Sequence, residues 1–472
     1  MDLAQRFPLG RLIRRSRRGL VLTLGAAVSV VALAACSSAP AASPTAAAKP
    51  AAPAATTAPA APAAPAAPTT GAQAAPTTAA AGQPAAATGA PTKIGVLTPL
   101  SPPGDTGAGQ LIVRGAELAV DYINQRMGPN WVSTNPLPGP IELVKGDDAG
   151  TPEIGVAAFR KMVQSDHVAG VVGQYHSSVT VALMPIAEQL KVPMLSSQSS
   201  DTSISSKHMM YTFQTHAITS DRAQVVADFI AANTDKFKKI AIVAENTDYG
   251  TGNVDSIKPL LAKINGVTYK DWVFDNKSTD LSPLLLQVKQ FDPDLIYNLG
   301  VGAPAYLIVK QSYDVGLMPK AYQLISYDLP IRPEFWQNLG DKGKGIIFVS
   351  YYHPQQQLTD AGKWFQAAYQ KKYNEAAPYS AFQGFGNTVM LAQAINQANS
   401  TDGAAIVKAM ETGKLTNWNA SPVNFPEAPG VDWHRVKIPM LLLQYTAANQ
   451  DFTKATIVFP QNMKTGDVKK VQ

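Results

Sequence analysis

The chain has 472 residues, 46% of them hydrophobic and 16% charged, with one cysteine and a formal net charge of +6. Six arginines within residues 1–35, against Asp2 alone, carry most of that charge: beyond them Lys+Arg falls from 40 to 34 and Asp+Glu from 34 to 33, a net of +1. A near-neutral body excludes a basic face for nucleic acid. A single cysteine excludes an intrachain disulfide, so the body must be held by its own core.

Taken in chain order, residues 1–35 read as an export leader. The basic run Arg11, Arg14, Arg15, Arg17 and Arg18 precedes an apolar stretch from Leu20 to Ala35, shorter than the ~20 residues a spanning helix needs. Leu33-Ala34-Ala35-Cys36 resembles the lipobox of bacterial lipoproteins, which implies cleavage before Cys36 and acylation of its thiol; a plain signal peptide or a membrane helix are the other readings. Ser16-Arg17-Arg18-Gly19-Leu20-Val21 resembles a twin-arginine motif, and both that route and ordinary secretion stay open. Residues 36–92 form a linker almost wholly of Ala, Pro, Thr, Ser and Gly in which Lys49 is the only charge. Without a hydrophobic period it cannot fold, and proline keeps it extended.

Order is expected from Lys93. The pattern predicts a strand at Ile94 to Leu97 and a helix through Leu111, Ala116 and Ile123. Strands at Ile141 to Val144, Val168 to Val172 and Val192 to Leu195 alternate with helices at Glu153 to Gln164 and Val179 to Leu190. A second series predicts strands at Ile240 to Val243, Thr268 to Phe274, Leu295 to Tyr297, Tyr322 to Ser326 and Ile346 to Val349. Its helices are Arg222 to Asn233, Val254 to Ile264, Leu281 to Gln290 and Ala303 to Tyr313. Helices at Trp364 to Tyr373, Ser380 to Ala398 and Ala404 to Glu411 follow, and strands at Val436 to Gln444 and Ala455 to Phe459 close the chain. Such alternation implies an α/β fold with parallel sheets covered on both faces, and its length favours two lobes. We expect lobe 1 at 93–216 and 354–432, lobe 2 at 217–353 and 433–472, and a multi-strand hinge between them.

Several strings in this order carry a family resemblance. They are Ile94-Gly95-Val96-Leu97-Thr98-Pro99-Leu100-Ser101, Arg114 to Val120 with Asn124, Asp147-Asp148, and Gly170 to Thr180. Val192-Pro193-Met194-Leu195-Ser196, Tyr249-Gly250, Phe291-Asp292-Pro293-Asp294 and Val458-Phe459-Pro460 complete the set. Together they make residues 93–472 resemble the solute-binding proteins of ATP-driven importers, in the leucine/isoleucine/valine-binding branch. The resemblance implies the type I periplasmic binding protein fold, two Rossmann-like lobes with parallel sheets that close on a solute. It implies a small-molecule ligand, an amino acid of apolar type or a related carboxylate, and delivery to an ABC permease in the membrane. The protein is then a monomer on the outer face of the cytoplasmic membrane, tethered through Cys36, with no nucleic-acid partner, no metal and no cofactor.

Residue by residue, the resemblance places Ser177 at the carboxylate-binding serine, with His176 and Ser178 beside it. Hydroxyls and free N–H groups at a helix start suit an anion, although a structural N-cap fits the same pattern. Gln198 and Ser200 fall where the family offers a carbonyl and a hydroxyl to an amino-acid head group. Tyr249 matches a tyrosine that covers the ligand, a large apolar face with a hydroxyl at low entropic cost. Asp328 matches the acid that pairs with an α-ammonium, one methylene shorter than the glutamate of the branched-chain type. Val301 stands where many amino-acid binders have tyrosine, and the loop Gly104 to Gly109 lacks another. A protonated His176 is expected to strengthen anion binding. No G-x-S-x-G, H-E-x-x-H or P-loop string occurs, so the chain is not expected to be an enzyme such as a lipid-anchored hydrolase. A sensor domain signalling to a membrane kinase uses the same clamshell and stays open.

Overall fold

The computed structural model describes residues 90–125, 139–353, 356–420 and 422–471. The expected leader, Cys36 and the 36–92 linker up to Gly89 lie outside the described residues.

A first sheet contains β1 (Thr92–Thr98), β2 (Ile141–Asp147), β3 (Val171–Val172), β4 (Met194–Ser196) and β5 (Thr212–Gln214), all parallel, in the order β2-β1-β3-β4-β5. Its connections are α1 (Thr106–Asn124), α2 (Pro152–Gln164), α3 (Ser177–Leu190) and the single turn α4 (Ser203–Ser206). The second series runs α5 (Thr219–Ala231), β6 (Lys239–Glu245), α6 (Asp248–Leu261), β7 (Thr268–Phe274), α7 (Ser282–Phe291), β8 (Leu295–Leu299), α8 (Ala303–Asp314), β9 (Tyr322–Ile325), α9 (Phe335–Leu339) and β10 (Ile347–Ser350). After α10 (Asp360–Tyr373), α11 (Tyr379–Ala398) and α12 (Gly403–Thr412) come β11 (Leu441–Gln444) and β12 (Thr456–Phe459). The second sheet is ordered β12-β11-β10-β9-β8-β6-β7.

Burial explains why these segments are strands. β8 is buried at every residue and β6 at all but its first, because helices cover both faces, and each therefore reads as an unbroken apolar run. β7 lies on the sheet edge, alternates exposed with covered positions and carries Lys270 and Asp271, charges that discourage pairing with another chain. α11 packs along α1 at backbone contact: a Cβ on Gly115 would overlap the Ala381 carbonyl, and one on Gly384 the Ile112 carbonyl. That contact returns the late helices to the first sheet, while β11 and β12 rejoin the second.

Three expectations change. The sheets are not wholly parallel, because β11 pairs antiparallel with both β10 and β12; the short return from Gln444 to Thr456 leaves no room for a crossover. The predicted strand Val168 to Val172 shortens to β3, although Ala169 N still donates to Lys93 O and Gly95 N to Gly170 O. The predicted strand Val436 to Gln444 is split. Val436 N donates to Gln214 O beside β5, whereas β11 starts only after Pro439, which has no N–H to give a ladder. β5 and α4 had no counterpart in the predicted pattern.

Both sheets show the same reversal of strand order, between β1 and β3 in the first and between β6 and β8 in the second. Loops at such switch points diverge and leave a crevice beyond the strand ends. Here the two crevices face each other.

Candidate ligand-binding site

A cavity with about 350 Å³ of space, part of it open to solvent, lies where the loops meet, lined by Tyr175, His176, Ser177, Gln198, Ser200, His216, Arg222, Tyr249, Val301 and Tyr327. The first-sheet wall is made by the loops after β3 and β4. His176 is the N-cap of α3 and Ser177 its first residue. Ser177 Oγ accepts from Ser200 N at 3.1 Å and Asp201 N at 3.2 Å, tying the two loops together. Its proton remains available to an incoming acceptor. Ser200 Oγ and Gln198 Oε1, both buried, have no partner among the described residues.

His176 Nε2 accepts from Asp105 N at 3.2 Å, which leaves the ring proton on Nδ1. Burial, with Arg332 adding repulsion, pushes this histidine down to about 4 despite the opposing pull of Asp105. The added attraction for an anion that a protonated His176 would bring is therefore disfavoured near neutral pH, where these surroundings favour the uncharged ring in the half-buried wall.

The second-sheet wall begins with Arg222 in α5. Its Nη1 donates to Tyr249 Oη at 3.3 Å, Ser326 O at 3.3 Å and Ser326 Oγ at 3.2 Å, and Tyr249 Oη lies 2.8 Å from Ser326 Oγ. Thr247 caps α6 by accepting from Gly250 N, which sets Tyr249 in the first turn facing the arginine. Tyr327 Oη accepts from Gly302 N at 2.7 Å, and Val301 N donates to Glu245 Oε2 at 2.9 Å. Burial raises Glu245 to about 7, against the bonds from Thr247 and Val301. His216, bonded to Tyr379 Oη at 3.0 Å, is held well below its ordinary value by burial and by Arg222.

The walls are joined by direct bonds. Asp105, after β1, receives Arg332 Nη1 at 3.0 and 2.8 Å, and both side chains are almost fully buried. Tyr175 Oη donates to Asp105 at 2.9 Å and accepts from Arg332 Nη2 at 2.7 Å. Burial alone would lift Asp105; the arginine's charge and hydrogen bonds hold it below the ordinary carboxylate value. Gln198 Nε2 donates to Asp328 Oδ1 at 3.3 Å, and the Thr202 and Thr219 hydroxyls meet at 2.8 Å. Gly302, at φ +61°, presses on Asp105, whose Cγ would lie 3.1 Å from any Cβ there.

Of the residues singled out from sequence, His176, Ser177, Gln198, Ser200 and Tyr249 border this one cavity. Ser178, half-buried on α3, is not among the lining residues. Asp328 is fully buried behind the lining, drawn to Gln198, with Oδ2 unpartnered and its carboxyl raised by burial to about 6 against Arg332. Sequence reasoning missed Tyr175, His216, Arg222 and Tyr327. Arg222 left a signal, since it sits on the buried stripe of α5 with Val226, Phe229 and Ile230. A charge on an apolar stripe marks a position the core must have some reason to keep. Among the described residues no group of three or more His, Cys, Asp or Glu is placed to hold a metal ion.

The family model described as periplasmic binding protein matches residues 91–450. The chain belongs to that family. It is 29% identical over 338 residues to Leu/Ile/Val-binding protein homolog 3 of Brucella melitensis, covering 70% of this chain and 86% of that protein. Among solved structures, a leucine-binding protein from Thermotoga maritima superposes with a TM-score of 0.67 at 22% identity, covering 78% of this chain and 97% of the other. A branched-chain amino acid transporter substrate-binding protein from Streptococcus pneumoniae, in complex with isoleucine, gives 0.64 at 22% identity, covering 78% and 98%. These likenesses establish the fold as the two-lobed type I periplasmic binding protein architecture.

Proposed function

We propose that this periplasmic binding protein captures a small carboxylate-bearing solute, an amino acid or a related acid, between its lobes and delivers it to a membrane permease. The observation that carries the proposal is a cavity shared by the switch-point loops of both sheets, with buried polar groups on each wall that have no partner among the described residues. One carboxylate fits the first wall, where the Ser177 and Ser200 hydroxyls can donate beside the free N–H groups at the start of α3. Relatives named Leu/Ile/Val-binding protein support that solute class, and Tyr249, Val301 and Tyr327 supply apolar surface. Capture needs no bond to be made or broken: a solute touching both walls favours the closed arrangement by its greater affinity for it.

Acylation of Cys36 would keep the protein at the membrane, within reach of its permease. Calorimetry against a panel of amino acids and short carboxylic acids tests the capture. Ser177→Ala is expected to weaken every carboxylate bound, and an unchanged affinity would remove Ser177 from the site. Mass spectrometry of the mature N-terminus tests the anchor, which fails if Cys36 carries no acyl chain.

A further inference from the structure

Two buried arginines flank the cavity, and their surroundings differ. Arg332 is met by Asp105 at 2.8 and 3.0 Å and stacks over Tyr175 and Tyr327. Arg222 is equally buried, lines the cavity, and among the described residues pairs with no Asp or Glu. Among the described residues only its Nη1 is engaged, by Tyr249 and Ser326, and Nε and Nη2 have no hydrogen-bond partner. Those two nitrogens form one edge of the planar guanidinium. Their parallel N–H bonds match the two oxygens of a carboxylate.

Such an arrangement is costly with nothing opposite it. A buried guanidinium that lacks a counter-charge, with unsatisfied N–H groups, carries a desolvation penalty that pairing would relieve. The groups around Arg222 are Tyr249, Tyr297, Tyr351 and His216, none of which supplies a negative charge at neutral pH. The nearby carboxyls are engaged elsewhere: Asp105 with Arg332, Glu245 with Thr247 and Val301, and Asp328 with Gln198. The second wall therefore carries a buried positive charge with no carboxylate paired to it among the described residues, and a bidentate edge left unbonded there.

We propose that Arg222 receives a second carboxylate of the solute, so that the cargo is a dicarboxylic acid or an acidic amino acid instead of a neutral branched-chain amino acid. One carboxylate lies against Ser177 and the start of α3, the other against the Nε–Nη2 edge of Arg222. The assignment presupposes the carboxylate capture proposed for the same cavity. It makes Arg222 the residue that determines specificity.

The test is calorimetry on the full chain purified in detergent. The panel holds dicarboxylates from malonate to adipate with aspartate and glutamate, each against the monocarboxylate or amide of equal length, and leucine, isoleucine and valine. A two-carboxylate solute is expected to bind at least about 100-fold tighter than its one-carboxylate match, because the match leaves a buried charge unpaired. Arg222→Met should abolish that preference and Arg222→Lys should keep part of it, while Ser177→Ala weakens both members of a pair. If Arg222→Met does not fold, the wild-type comparison decides alone. A neutral amino acid or monocarboxylate bound as tightly as every diacid overturns the proposal and leaves carboxylate capture standing, as does a diacid preference that survives Arg222→Met. Binding of no acid in the panel overturns both.

Discussion

The Asp105–Arg332 pair offers a measurement of how the lobes are held together. Asp105 belongs to the loop after β1 and Arg332 follows β9, so the bond crosses the cleft. Asp105→Asn keeps the side-chain oxygen that caps α1 through Ala108 N, and Asn caps as well as Asp. What it removes is the charge opposite a buried guanidinium. Leaving one member of such a pair buried and unpaired costs about 3–5 kcal/mol. The penalty exists only while the lobes touch, because separating them returns Arg332 to water. It should therefore appear in closure and not in unfolding. At about 1.4 kcal/mol per tenfold, closure becomes less favourable by between about 100-fold and several thousand-fold, and a solute that needs closed lobes loses affinity by up to that factor. Calorimetry should show Kd rising at least about 100-fold, small-angle scattering should show a more extended particle, and the ligand-free Tm should move by less than about 2 °C. The effect should hold across neutral and mildly acidic pH. A carboxyl with a depressed folded pKa contributes its stability above the unfolded value, 3.8, and loses it only below that. A Kd within threefold of wild type, or a large fall in Tm with Kd unchanged, would refute the assignment of this pair to closure.

Three further outcomes follow from separate contacts. Gly252 lies within α6, where a Cβ would overlap Asp201 Oδ2 from the opposite wall; that carboxylate is held in place by Ser203 N at 2.8 Å. Gly252→Ala should stabilise the helix by up to about 1 kcal/mol yet weaken solute affinity several-fold; a variant with unchanged or tighter affinity shows that the contact does not limit closure. Burial raises Asp148 to about 7, with only the Gly150 N–H opposing, so the folded state binds this proton more tightly than the unfolded state. Wild-type stability gains from this group as pH falls from 8 towards 4, and Asp148→Asn should lose that gain. The stability difference between variant and wild type should then change by on the order of 4 kcal/mol over that range, whereas parallel melting profiles exclude it. Gly384→Ala places a methyl group against the Ile112 carbonyl, where backbone must move; destabilisation at or above the upper end of the usual ~1–3 kcal/mol is expected in denaturant melts, and a neutral variant contradicts backbone contact between α1 and α11.

Much of the framework was legible because it is local. The apolar runs of β6 and β8 and the periodic stripes of α1, α2 and α10 announce themselves within a dozen residues. β5 does not, since Thr212–Gln214 has no alternation of its own and is completed by Val436, more than 200 residues away. The candidate site divides along the same line. Ser177, Gln198, Ser200 and Tyr249 were singled out by family resemblance, on loops beyond strand ends where ligands lie in such sheets, and all four border the cavity. The cross-cleft pairings could not be singled out so, because Asp105 and Arg332 are 227 residues apart and Gln198 and Asp328 are 130 apart. Asp328 shows the consequence: its place after β9 was legible, but Gln198 draws it behind the lining, and no local pattern records that. Arg222 shows the converse. Its charge on the buried stripe of α5 was a local signal, but the unbonded Nε–Nη2 edge shows only in the assembled site. In the reading proposed above, cargo class is set by a remainder, the guanidinium left without a carboxylate when the two walls meet. Such a remainder belongs to the three-dimensional pairing of loops, and substitution at Arg222 should therefore change which solute binds while leaving the lobes and their closure intact.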